Sequence, residues 1–313
     1  MAGSEFREWD DYRVSPNFAC GASALNLSPD RTEALSALTP SEALPSLRGH
    51  YADGRLIPFI GAGFSKPLGL PSWEDLIGSL AEALDFERDL FLLHGTFPQL
   101  SQYAEIKDSQ AWGLFRHRMG VEFDSQVAQE RRKSSIQHVA LASLNWSTIY
   151  TTNFDEHIEG ALRDAGKNPS VLATLRDFTK SEADSDCDVI KFHGTLSEPE
   201  SIILSESRYF DRFSLEDPAD QRLRSDIISN SFIFIGYSFS DENIRYIWYK
   251  INKLRANRIS GGQETSLRPC YLISLGEDPV QSELLKRWGI SMISIGPDDP
   301  SENIAELIRG IGA

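Results

Sequence analysis

The segment Ile57-Pro58-Phe59-Ile60-Gly61-Ala62-Gly63-Phe64-Ser65-Lys66-Pro67-Leu68-Gly69-Leu70-Pro71-Ser72-Trp73 sets the reading of the whole chain. Four mostly apolar residues, Ile57 to Ile60, read as a buried strand. Gly61 and Gly63 interrupt it, and Ser72 is placed to cap a helix with apolar positions at Trp73, Leu76, Ile77, Leu80 and Leu84. A strand, a glycine turn and a helix in that order bring backbone N–H groups and the positive end of a helix together with no side chain between. That arrangement suits a phosphate or pyrophosphate. The dinucleotide fingerprint G-x-G-x-x-G is not met, because Lys66 stands at the third glycine position and no acid closes a second strand about 20 residues on. Alone, the turn is equally compatible with simple chain reversal, and its companions along the chain decide.

On the N-terminal side, Met1 to Phe6 read as a cloning remnant and residues 1–38 as an irregular arm. Thr39-Pro40-Ser41-Glu42 starts a helix with a capping box, and Gly54 ends it. On the C-terminal side, residues 76–144 offer amphipathic pieces such as Ala111 to Met119 and Gln126 to Leu144 but no second strand, which predicts a helical insertion. Its basic spots, Arg116 with Arg118 and Arg131-Arg132-Lys133, read as solvated faces. Strand character returns at Ser147 to Thr152, Val189 to Phe192, Phe232 to Ile235, 270–275 and 290–295, with helices between. Residues 167–187 read as a loop region with room for one short strand. Strands alternating with helices predict an α/β fold with a doubly wound, mainly parallel Rossmann-like sheet, formed by residues 39–75 and 145–313. In such sheets ligands bind at the carboxyl ends of the strands.

Four polar sequences fall at those ends: Gly61-Ala62-Gly63-Phe64-Ser65, Thr151-Thr152-Asn153-Phe154-Asp155, Lys191-Phe192-His193-Gly194, and Gly236-Tyr237-Ser238-Phe239-Ser240-Asp241. In order and spacing they resemble the sirtuin family, whose NAD site is made from a G-A-G-x-S turn, a T-Q-N-x-D segment, an H-G pair and a later G-T-S or G-Y-S turn. The resemblance spans about residues 50–245, and Gly69-Leu70-Pro71 stands where sirtuins carry G-I-P. Sirtuin deacylases also hold zinc with four cysteines between the H-G pair and the later glycine turn. Residues 194–235 contain none, so no zinc module and no metal are expected. Ser72-Trp73-Glu74 replaces the usual D-F-R, and Thr152 the usual glutamine. These departures match the sirtuin-like proteins of bacterial antiphage defence, which are NAD hydrolases.

The chemistry follows from the residues. Cleavage between nicotinamide and ribose builds an oxocarbenium-like centre at C1′, which calls for a positioned ribose, a placed water and a shielded face. Asn153 has a donor and an acceptor with which to orient the water or a ribose hydroxyl, and His193 can accept a proton near neutral pH. Asp155 is assigned either to the nicotinamide amide or to bracing the loop. Gly61, Ala62, Gly63 and Ser65 are expected along the pyrophosphate, and Gly236 with Ser238 along the adenosine half. The bland alternatives are helix capping for Asn153, and helix-start charge for Asp155. Two other functions remain open: a protein deacylase or ADP-ribosyltransferase, which uses the same cleavage with another acceptor, and a non-catalytic NAD or ADP-ribose module.

Composition narrows the setting. At 313 residues, 41% hydrophobic and 25% charged, the chain is of ordinary globular composition. No apolar run approaches the roughly 20 residues of a membrane span, and three scattered cysteines suggest a reducing compartment, so a cytoplasmic, membrane-free protein is expected. A net charge of −15 argues against direct nucleic-acid binding. The helix after Asp241 nevertheless carries Arg245, Lys250, Lys253, Arg255 and Arg258, read either as a solvated face or as an interface. The family resemblance further implies a homo-oligomer controlled by a separate partner, such as a HerA-type ATPase and DNA translocase or an Argonaute-like protein.

Overall fold

Apolar side chains alternating between two covered faces explain where the strands form. A computed structural model of the protein describes residues 37–180, 184–237, 239, 244–246, 248–250, 253 and 268–313. Every residue of Leu56–Ile60 (β1) is buried. Leu56 and Ile60 enter one apolar cluster, Ile57 and Phe59 the other, which is the period of two of a strand covered on both faces. Ser231–Ile235 (β5) repeats the pattern, with Phe232 and Phe234 on one face and Ile233 and Ile235 on the other. Full burial of each such side chain stabilises by roughly 1.5–3 kcal/mol.

With Thr148–Thr151 (β2), Pro169–Leu172 (β3), Cys187–Lys191 (β4), Cys270–Ser274 (β6) and Ile290–Ser294 (β7), these strands form one sheet. Its order is β3-β4-β2-β1-β5-β6-β7, and every pairing is parallel. Pro58 sits inside this central strand at no cost to the ladder. The Gly61 N–H points to β5, so by alternation the nitrogen of residue 58 faces β2, where pairing starts only at Phe59↔Tyr150. One face is covered by helices Pro40–Ala52, Ile136–Ser143, His157–Asp164 and Pro300–Ile311, the other by Pro218–Ser229, Pro279–Lys286 and the segment holding Ile244 and Trp248.

Between β1 and β2 the described elements are all helical, and they have a core of their own: Leu76, Ile77, Leu80, Phe91, Leu100, Trp112, Phe115, Met119 and Phe123. Phe154, from the loop after β2, is buried in that core. Ser72 caps helix Trp73–Ala83 reciprocally with Asp75, as Thr39 does with Glu42. Four expectations need revision. Residues 167–187 hold, besides the one short strand allowed there (β3), a helix, Leu175–Thr179, capped by Thr174 with Asp177. The amphipathic run 126–144 is two helices broken at Ser135. Leu38, expected in an irregular arm, makes a parallel bridge to Ile293. Three of the five basic residues are tethers: Arg116 pairs with Glu200, Arg131 donates to the Leu68 carbonyl, and Arg132 pairs with Asp164, while Arg118 and Lys133 are exposed as expected. Arg255 and Arg258 of the basic stripe, and the arm up to residue 36, lie outside the described residues.

Candidate active site

The register of the sheet brings the sequence motifs to one edge. Ile60 of β1 pairs with Thr151 of β2 on one side and Ile235 of β5 on the other, and Thr151 pairs with Lys191 of β4. Four neighbouring strands therefore stop in line, and each is followed at once by its motif. Asn153 and His193 both stand two residues past the Thr151↔Lys191 pair, in the loops that follow adjacent strands.

Asn153 is buried and held by its nitrogen. Nδ2 donates to the Gly61 carbonyl at 3.3 Å and to Ser65 Oγ at 3.2 Å, while its backbone N–H donates to Thr151 Oγ1 at 3.0 Å. Its Oδ1 is buried without a hydrogen-bond partner. A buried amide oxygen left unpaired costs about 1–3 kcal/mol, so its position is one where an outside donor gains most. Asp155 is also buried, and both its carboxylate oxygens accept bonds from the protein, Oδ2 from Ser65 Oγ at 3.3 Å and Oδ1 from the His157 N–H at 3.1 Å. Its carbonyl accepts from the ammonium of Lys191, which in turn lies 3.1 Å from Glu159 Oε1. Both side chains of that ion pair are fully buried. Burial pushes the Glu159 carboxyl up, against the pull of the Lys191 ammonium.

His193 is buried, with its ring against Phe192 and, edge to face, against Tyr209 at 5.4 Å between centroids. Its turn is fixed from the helical segment that follows. The Ile203 N–H donates to the His193 carbonyl at 2.9 Å, and Arg212 donates to the Phe192 carbonyl at 2.8 Å while its guanidinium lies 4.3 Å from the centre of the Phe192 ring. Arg212 is held by a bidentate pair with Asp220 at 2.8 and 2.6 Å. Burial pushes the Asp220 carboxyl up and the Arg212 bonds pull it down.

The glycine turn continues as a 3-10 helix, Ala62–Leu68. It crosses the turn after β5 at backbone distance. Gly61 N–H donates to Ile235, Gly63 N–H to Gly236 at 2.9 Å, and Phe64 N–H back to Gly61. A Cβ on Gly61 or Gly63 would come 2.6 or 2.8 Å from the Gly236 carbonyl oxygen, and Gly236, at φ +67°, would drive its own Cβ into the Phe64 nitrogen. The glycines are thus required by the crossing itself. Ala62 is exposed on the outer side of the turn, Ser65 is buried beside Asn153, and Ser238 lies outside the described residues. Gln137 and Arg131 anchor the turn from behind through the carbonyls of Phe64 and Leu68.

Residues 147–293 match the model of the SIR2-like domain. Those residues form a sirtuin-like domain. A protein named NAD(+) hydrolase ThsA from Cytobacillus dafuensis is 31% identical over 308 residues, covering 89% of this chain and 57% of that protein. One of the same name from Bacillus cereus is 30% identical, covering 72% and 44%. Defense-associated sirtuin 2 of Bacillus subtilis is 23% identical, covering 78% and 23%. The chain spans about half the length of the ThsA relatives. Among the described residues of this sirtuin-like chain, no cluster of three or more His, Cys, Asp or Glu could hold a metal ion, and no helix is long and apolar enough to cross a membrane.

Lys191, Glu159, Arg212 and Asp220 escape a reading by motif. A signal existed for one of them: Lys191 interrupts an apolar strand, Val189-Ile190-Lys191-Phe192, and a charge there needs a buried partner.

Proposed function

We propose that this chain hydrolyses NAD at the nicotinamide–ribose bond, giving nicotinamide and ADP-ribose, as the NAD-depleting effector of a bacterial antiphage defence system. The observation that carries the reading is Asn153. A carboxamide held by its nitrogen between the Gly61 carbonyl and Ser65, with Oδ1 buried and unpartnered, is built to receive a donor. It follows the last β2–β4 pair, Thr151↔Lys191, by two residues, as His193 does after the neighbouring strand. The names of the relatives support the substrate.

In this reading Oδ1 of Asn153 accepts from the attacking water or a ribose hydroxyl. As the C1′–nitrogen bond breaks, its electron pair returns to the nicotinamide ring and neutralises the pyridinium. The water oxygen bonds C1′, and its proton goes to His193. Asp155, with both oxygens engaged by Ser65 and His157, braces the loop and does not touch the ligand. Ala62 and Ser65 are the turn's contacts to the pyrophosphate, with Gly61 and Gly63 shaping the turn; Gly236 and Ser238 belong to the adenosine half. NAD is the substrate, and no zinc takes part. The working unit is a cytoplasmic homo-oligomer switched by a separate protein, a HerA-type ATPase or an Argonaute-like protein.

The test is nicotinamide release by wild type, Asn153→Ala and His193→Ala, with and without the neighbouring gene's product. Both variants should fold and lose at least about 100-fold in turnover, the scale of a positioned acid–base or transition-state contact. Retained turnover in either variant assigns the chemistry elsewhere.

A further inference from the structure

We infer that Lys191 is a positioning residue that sets Asn153 relative to His193, with Glu159 as its counter-charge. The inference rests on the NAD-cleaving reading for its functional consequence, but its geometry is independent of that reading. Lys191 is the last residue of β4, two positions before His193. Its ammonium crosses to the neighbouring strand end and donates to the carbonyl of Asp155, two positions after Asn153. The Asn153 loop is thereby tied directly to the strand that delivers the histidine. Thr151↔Lys191 is also the last rung between these strands, and beyond it the backbone links are Phe192 N–H to the Thr151 carbonyl at 2.7 Å and Leu196 N–H to the Phe154 carbonyl at 3.1 Å. Between those two bonds no sheet ladder continues, and the ammonium adds a side-chain tie at the Asp155 carbonyl.

The choice of residue is costly on any other account. Lys191 and Glu159 are both fully buried, and apolar residues of similar volume commonly serve stability as well as or better than such a pair. A hydrophobic pair would fill the space and reach no carbonyl. Glu159 lies in the first turn of helix His157–Asp164, which the same loop leads into, so the ion pair also fixes where that helix starts. The loop is pinned on its other flank by Phe154 in the insertion core and by Ser65 on Asp155. Toward the His193 side the Leu196 N–H holds the Phe154 carbonyl, and Lys191 adds the tie at Asp155 from the last residue of β4.

Lys191→Met alone leaves a carboxylate buried without its counter-charge, so the decisive protein is the full chain carrying Lys191→Met with Glu159→Gln. Turnover and KM for NAD and a crystal structure are obtained for it and for wild type. The expected variant folds, shows residues 153–155 displaced relative to His193 with the Asn153 bond to Gly61 broken, and loses at least tenfold in kcat with KM within about twofold. Wild-type loop position and turnover in the folded variant would overturn the inference, as would failure of the variant to fold, since the pair would then be serving the fold and not the loop. If wild type itself releases no nicotinamide, the NAD-cleaving reading fails, and the loop position in the variant crystal still decides the role of Lys191.

Discussion

The turns that carry Asn153 and His193 emerge side by side from β2 and β4, yet they are fixed by different means. The Asn153 turn is held from inside the sheet, by Ser65, by the Lys191–Glu159 pair and by Phe154 in a separate apolar core. The His193 turn is held from outside, by residues of the following helical segment, where Arg212 clamps the Phe192 carbonyl and leans on Asp220. The difference teaches where each catalytic candidate is vulnerable. Asn153 depends on the glycine turn, the end of β4 and the insertion core; His193 depends on the 200–220 segment.

The largest effect that probes this contrast should come from Arg212→Ala. It leaves Asp220 charged, buried and alone, and should cost about 3–5 kcal/mol in urea unfolding. A loss below about 1 kcal/mol would mean the outside clamp is ornamental. Phe154→Ala empties one site in the insertion core and should cost about 3 kcal/mol, the low end for such truncations because the surrounding helices can close in. The Asn153 side should also soften in acid. Burial holds the His138 imidazole, whose ring centre lies 4.6 Å from that of Phe64 in a tilted contact, down to about 4 from its usual 6.5. The unfolded chain takes up that proton below about pH 6.5 and the folded chain only near 4, so stability falls as pH drops through this window, by about 3 kcal/mol. His138→Gln should flatten that part of the stability profile; an unchanged slope would remove His138 from the account. Ser65→Ala removes one bond to Asn153 and one to Asp155, and should cost only about 1 kcal/mol while lowering turnover more than Phe154→Ala does per unit of stability lost.

Much of this architecture is legible in the residues. Phe232-Ile233-Phe234-Ile235 and Ile57 to Ile60 announce strands because both faces are apolar, and the four motifs follow strands that the register then aligns. Thr39 and Ser72 announce their helices by chemistry local to four residues. The glycine turn is legible as a turn, but its cause is not: the crossing with Gly236 depends on a contact between residues some 170 positions apart in the chain, as the Gly63 to Gly236 bond shows. β3 was hard to see because Pro169-Ser170-Val171-Leu172 is short and lies in polar surroundings. Arg131, Arg212 and Lys191 have no periodicity at all. Each works through a partner far away in sequence, Leu68, Phe192 or Asp155, and only the fold supplies those pairings.

The central claim is that Asn153 and His193 face the sugar carbon of one bound dinucleotide. The direct measurement is a crystal structure of the His193→Ala variant soaked with NAD, in which cleavage is arrested. The account predicts intact NAD along the carboxyl edge of the sheet, with Asn153 Oδ1 within hydrogen-bond distance of the nicotinamide ribose or of a water beside C1′. NAD bound elsewhere, or bound with its adenine end at Asn153, would contradict it.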